Sequence, residues 1–220
     1  MLERIHWLGH ASFRINGGIG EDGCVIYIDP WMLPPDSPHA DLILISHDHH
    51  DHCSQQDIEQ VRTGETVIIG NQRVAEMIGQ DVQILRPYQG AICVGDVYVR
   101  AVPAYTLKHA YHAPSYGGLG FLISMMRHDI YFAGDTDLIP EMEQIGCDIA
   151  ILPVGGSFTM NWEDAVKSVE ILHPTYAIPM HYGREIPSSK DYGKCFCTNV
   201  NGEVEAVELP VENESFRVVT

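Results

Sequence analysis

Apolar residues in this chain come mostly in short runs rather than long helical stripes. These runs are rich in β-branched and aromatic residues and are bounded by Gly, Pro or Asp. They predict strands over 5–8, 12–15, 24–28, 42–45, 66–69, 82–85, 97–102, 120–124, 129–133, 149–152, 176–179 and 205–209. Helical signals are fewer. The segment 54–62 opens with Ser54 and Asp57 as a capping-box-like pair, and 71–78 starts on Asn71 and ends at Gly79. The segment 138–145 has Pro140 near its start and Gly146 after its end. In 161–172, Trp162, Ala165, Val166, Val169 and Leu172 form one apolar stripe that stops before Pro174. The first half is richer in strands before its helices, so a simple β-α repeat fits poorly. A sheet-on-sheet core with outer helices fits better.

At 220 residues the chain suits one large domain, 1–220, with two small ones the alternative. Its 45% hydrophobic content supports a sizeable core. No apolar run approaches a membrane span, and the start at Met1 lacks a basic region followed by an apolar one. A cytoplasmic protein with no membrane partner is therefore expected, and its six cysteines are read as reduced thiols. Cys195-Phe196-Cys197 is too short a pattern to establish a metal or redox site. A net charge of -17 disfavours a nucleic-acid partner, whose phosphates need Lys and Arg. A small anionic substrate stays open, because bound metal ions can reverse the local field.

The densest chemistry is in Ser46-His47-Asp48-His49-His50-Asp51-His52, directly after the apolar run 41–45. Crowded imidazoles and carboxylates repel or desolvate one another unless a cation unites them, and both are common ligands of zinc and similar ions. Placed at the carboxyl end of a buried strand, they occupy the usual position of sites in open α/β sheets. The bland alternative is a solvated histidine-rich loop, but such tracts rarely follow a strongly apolar strand at fixed spacing. Three further candidates follow strands or lie between them: Asp135 in Ala133-Gly134-Asp135-Thr136-Asp137, His181 in Pro179-Met180-His181-Tyr182-Gly183, and His109 or His112 in the loop 106–118. Taken singly, each reads as a turn aspartate or a solvated histidine. Together they describe ligands gathered at one edge of the core.

These residues resemble the metallo-β-lactamase superfamily, in particular its small single-domain metal-dependent hydrolases, related to a lactonase-like branch. The resemblance is carried in order by Trp7-Leu8-Gly9-His10-Ala11-Ser12-Phe13, Ile28-Asp29-Pro30-Trp31, the heptapeptide, Ala133-Gly134-Asp135-Thr136-Asp137, the segment 153–160 and Pro179-Met180-His181-Tyr182-Gly183. It implies an α+β fold, a four-layer αβ/βα sandwich of two mixed sheets with outer helices, in two similar halves. It also implies a dinuclear site. His47, His49 and a third-motif histidine would bind one divalent ion, and Asp51, His52 and His181 the other, with Asp135 bridging. His112 is the favoured third-motif ligand and His109 the alternative. His50 falls at a variable position of the motif.

The chemistry implied is hydrolysis of a small ester, lactone or related acyl substrate by a hydroxide shared between two ions, with a phosphodiester second. Zinc is the first choice of metal, with manganese, iron or nickel open. Asp51 would orient the nucleophile, and His10 and Tyr182 are candidates to protonate the leaving group. Asp29 would orient a ligand histidine. Gly155, Gly156 and Thr159 would shape the loop beside the site. A non-catalytic metal-binding or sensing protein of the same fold is the competing class, and the intact ligand set argues against it.

Overall fold

The computed structural model describes residues 1–18, 23–79, 81–107 and 110–213. The first sheet runs β1 (Ile5–Gly9), β2 (Ser12–Asn16), β3 (Val25–Ile28), β4 (Leu42–Leu44), β5 (Val67–Gly70), β6 (Val82–Ile84), each strand pairing with the next. The second contains β7 (Gly90–Ile92), β8 (Tyr98–Pro103), β9 (Leu119–Met125), β10 (His128–Phe132), β11 (Ile149–Pro153), β12 (Tyr176–Met180) and β13 (Glu205–Ala206), again in chain order. Each sheet opens with an antiparallel meander and closes with parallel strands: β3 to β6 in the first, β10 to β13 in the second. This is the expected α+β sandwich in two similar halves.

The side-chain alternation explains the layering. In β4 and the residue after it, Leu42 and Leu44 join the core between the sheets, while Ile43 and Ile45 join a second cluster on the outer face. Tyr27 and Ile68 share that outer cluster, and Ile26, Ile28 and Ile69 point the other way. A strand buried on both faces shows no polar alternation, which is why this one reads as an unbroken apolar run. Helices α1 (Gln55–Val61) and α2 (Gln72–Ile78) cover the outer face with Ile58, Val61 and Val74. Helix α3 (Trp162–Leu172) packs on β11, and α4 (Tyr192–Asn199) on β12 and α3. Phe13 meets Phe132 edge-on across the interface between the sheets, with ring centroids 6.1 Å apart.

Local caps act as the sequence implies, with one change. Ser54 caps α1 by accepting from the Asp57 amide. The Asp57 carboxylate does not return the bond to Ser54; it accepts from the amides of Met32 (2.9 Å) and Leu33 (2.8 Å) and ties down the loop after β3. Asn71 and Asn161 cap α2 and α3. The predicted helix 138–145 is a 3-10 turn, Pro140–Gln144. The predicted strand 205–209 shortens to Glu205–Ala206, and β7 and α4 had no counterpart among the expected elements. Among the described residues no helix is long and apolar enough to cross a membrane.

Candidate metal centre

The heptapeptide leaves β4, which is hydrogen-bonded to strands on both sides and fully buried, so its starting point is fixed. The Ser46 carbonyl accepts from the amide of Leu119, the first residue of β9 in the other sheet, at 3.0 Å. The heptapeptide therefore spans the open end of the sandwich. Asp29, just past β3 at φ 46° and fully buried, braces it from behind. Its carboxylate accepts from the Ser46 amide (2.7 Å) and the Ser46 hydroxyl (2.6 Å), and it pairs with His52 Nδ1 at 2.7 Å.

Each of three histidines is anchored by Nδ1 and turns Nε2 inward. His52 is held by Asp29, His47 by the Ser46 hydroxyl at 2.9 Å, and His112 by the Phe158 carbonyl at 3.2 Å. His47 Nε2 and His112 Nε2 then converge on His49 Nδ1, at 3.0 and 3.1 Å. The donor atoms of His47, His49 and His112 all lie within 4.8 Å of one another, and so do those of His10, Asp51, His52 and His181. Asp135 stands between the two groups. Its Oδ2 is 3.4 Å from His112 Nε2, 3.5 Å from His52 Nε2 and 3.2 Å from His181 Nε2.

Backbone conformation helps to place these donors. His181 follows β12 at φ 57° and its amide bonds to the carbonyl of His10, itself at φ 52°, over 3.0 Å. Left-handed histidines cost energy and persist where surrounding structure holds them. Gly134, before Asp135, is at φ 66°, and a Cβ there would meet the Leu119 carbonyl oxygen at 2.6 Å. Gly155 approaches the His181 carbonyl so closely that any Cβ would collide with it. Gly155 therefore permits close backbone approach beside a site residue, and Gly156 is the turn residue at φ 77°.

The donor set suits divalent ions on physical grounds. His52 Nε2 and Asp135 Oδ1 are buried without a hydrogen-bond partner among the described residues, an arrangement costly unless something else satisfies them. Nitrogens about 2.0–2.1 Å from a tetrahedral ion stand about 3.3 Å apart, close to the spacing around His49. Anchored Nδ1 atoms are the outer-shell pattern that orients metal-binding histidines.

Electrostatics sort the groups. Burial, then the neighbouring His52, lowers His47 well below the ordinary imidazole value, and burial also lowers His49 and His112. Burial favours neutral Asp135, but His181 and His52 prevail and hold its carboxyl far below the usual range. Burial works against a charged His52 too, yet Asp135, Asp29 and Asp51 push it up to about 10. Without a cation, the three carboxylates thus retain a proton on His52 where an ion would sit. His10 is lowered to about 4 by burial and by His181.

A cleft of about 270 Å³ opens over these donors, lined by His49, His50, Asp51, His181, Tyr111 and Phe158 among others. The side chain of His50 is 88% exposed, at the mouth, as expected for a variable position. His10 and Tyr182 line a different, larger cavity of about 690 Å³ that also includes Arg184 and Lys190. The Tyr182 hydroxyl donates to Glu208 at 2.7 Å and its ring stacks on Trp7, so the structure does not bring it among the residues lining the cleft. His10 meets the site through Asp51, with Nε2 3.1 Å from Oδ2. His109 lies outside the described residues. Ser46, Tyr111 and Phe158 lie in segments the sequence singles out but had no role of their own there, because no local pattern marks a residue whose partner is distant in the chain.

A family profile described as the β-lactamase superfamily domain matches residues 4–181. The chain belongs to the metallo-β-lactamase superfamily. Within the superfamily, the UPF0173 metal-dependent hydrolase of Methanopyrus kandleri is 33% identical over 95% of this chain and 94% of its own length. A second UPF0173 metal-dependent hydrolase, from Pyrococcus horikoshii, is 32% identical over 86% of the chain and 89% of its own. Among solved structures, a Parabacteroides distasonis protein described as a metal-dependent hydrolase superposes with TM-score 0.78 and 29% identity, covering 93% of this chain and 91% of that one. The superfamily member is thus one of the UPF0173 metal-dependent hydrolases.

Proposed function

We propose that this superfamily member is a single-domain cytoplasmic hydrolase that holds two divalent ions and cleaves a small ester, lactone or related acyl compound. The observation that carries the reading is the pair of donor clusters joined by Asp135. In this reading His47, His49 and His112 would hold one ion and Asp51, His52 and His181 the other, with the Asp135 carboxylate available to both sets. Zinc suits imidazole and carboxylate donors, and manganese, iron and nickel are the alternatives. When bound, the ions supply polarisation of the scissile carbonyl and a water acidic enough to ionise near neutral pH.

The protein's own part is orientation. Asp51 lines the cleft and aligns the attacking water, while His10 acts as a positioning residue by fixing Asp51 through a 3.1 Å contact. Ser46 and Asp29 hold His47 and His52 in the tautomer that turns Nε2 inward. The lactone preference rests on the lactonase-like sequence resemblance, and the net charge of -17 speaks against a nucleic-acid substrate.

The test is metal content by plasma mass spectrometry on protein purified without added metal, with Asp135→Ala alongside, followed by turnover of lactones, esters and phosphodiesters. About two ions per chain, a sharp fall in the variant and faster cleavage of the acyl substrates are expected. Failure to bind or regain zinc or manganese, or full occupancy in Asp135→Ala, overturns the reading.

A further inference from the structure

Two large aromatic side chains at the mouth of the cleft are left in solvent. Tyr111 is 62% exposed and Phe158 43%, and their rings meet edge-on with centroids 5.7 Å apart and planes at 83°. Single exposed apolar residues are ordinary, but a paired aromatic surface lining the same cleft as His49, Asp51 and His181 is not random placement. The pair is also tied to the donor cluster. Tyr111 precedes His112 in one 3-10 turn, and the Phe158 carbonyl accepts from His112 Nδ1. Both rings are thus held at a fixed offset from His112, whose Nε2 lies 3.4 Å from Asp135.

The cleft's charge narrows what the rings could hold. Among the described residues lining the cleft there is no Lys or Arg, while Arg184 and Lys190 line the separate larger cavity. Among the described lining residues, a carboxylate or phosphate tail would meet no Lys or Arg beside the rings. At about 270 Å³ the cleft is near the lower end for small-molecule sites.

We propose that Tyr111 and Phe158 form an aromatic platform for an uncharged, apolar acyl group, making the enzyme selective for aryl- or alkyl-acyl substrates over very small or anionic ones. The proposal rests on the hydrolase reading for the word acyl, but the binding preference itself does not require turnover.

The experiment is calorimetric titration of the zinc-loaded full chain with three hydroxamates that share one metal-binding head: acetohydroxamate, phenylacetohydroxamate and succinohydroxamate. Phenylacetohydroxamate is expected to bind wild type about tenfold more tightly than acetohydroxamate, and succinohydroxamate no more tightly. In Tyr111→Ala and Phe158→Ala the phenyl preference should shrink to about twofold or less, with zinc content unchanged because neither side chain belongs to the donor clusters. A wild-type ratio near one, a preference that survives both substitutions, or tighter binding of the anionic probe overturns the platform. The anionic probe is read on wild type, so that arm does not depend on the variants folding. If the preference behaves as expected while no ester or lactone is cleaved, the acyl-substrate reading fails and the platform stands.

Discussion

Replacing Asp29 by Asn changes one oxygen to nitrogen in a fully buried side chain and separates orientation from packing. The carboxylate serves three donors: the Ser46 amide at 2.7 Å, the Ser46 hydroxyl at 2.6 Å and His52 Nδ1 at 2.7 Å. Asparagine has a single oxygen. Turned one way, its NH2 faces the Ser46 amide and leaves a buried backbone donor unpaired, at roughly 1–3 kcal/mol. Turned the other way, the NH2 faces His52 Nδ1 and the Ser46 hydroxyl; the imidazolium sheds its Nδ1 proton and keeps the one on Nε2, and the hydroxyl must turn its hydrogen to another acceptor. The second costs less, because it leaves no buried backbone donor unpaired. What is then lost is a charge-assisted hydrogen bond, on the order of 2 kcal/mol. An Nε2 carrying hydrogen has no lone pair for a metal, and outer-shell changes of this kind cost about 10–100-fold in affinity. The expected result is a drop of about 2 kcal/mol in urea stability of the metal-free protein and at least a tenfold loss in affinity at the Asp51–His52–His181 cluster, with a smaller loss at the His47 cluster, whose Nδ1 anchor is the same Ser46 hydroxyl. Equilibrium dialysis against buffered zinc with plasma mass spectrometry measures the affinity, and imidazole 15N shifts report the tautomer. An Asn variant that keeps both ions at wild-type affinity refutes the argument.

Three more outcomes follow from the same geometry. Gly155→Ala would press a methyl group into the His181 carbonyl and Ile186, so urea unfolding should show a loss of about 1–3 kcal/mol together with weaker metal binding; unchanged values in both would mean the loop yields freely. Because His52 is pushed up to about 10, the metal-free protein carries that proton at pH 7 and must lose it to bind an ion. Uptake should therefore release a proton, seen as a buffer-dependent titration heat, and affinity at that cluster should rise about tenfold per pH unit toward 10; a flat affinity between pH 7 and 9 contradicts this. Partial burial pushes the Cys147 thiol from 9.0 up to about 12; the scarcer but more nucleophilic thiolate should make its alkylation by iodoacetamide at pH 8 roughly 30–100-fold slower than for an ordinary cysteine, and ready labelling on a peptide map would refute the burial argument.

Most strands were legible because each is short, apolar and bounded by turn formers. Helix α4 was not: Gly193, Cys195, Cys197 and Thr198 are indifferent helix formers, and no side chain caps its start. It forms because Phe196 is fully buried in the main core and α4 packs on α3. Strand β7 is equally weak in isolation, since Gly90-Ala91-Ile92 extends only because β8 pairs with it.

At the site, the division falls between spacing and direction. The chain by itself determined that His47, His49, Asp51 and His52 leave one buried strand together, because seven consecutive residues cannot scatter. It also carried the ordered motifs that marked Asp135 and His181 as candidates. Only the tertiary structure decided where side chains point. Tyr182 adjoins His181 in sequence but turns to Trp7 and Glu208, partners supplied by segments distant in the chain, after the left-handed turn at His181. His112 joins His49 because the Phe158 carbonyl, from a loop 46 residues away, takes its other nitrogen. Asp29 and Ser46 act in the same way, through hydrogen bonds between segments far apart in the chain. Such contacts depend on how the two sheets close on one another, and no local pattern of residues encodes that closure.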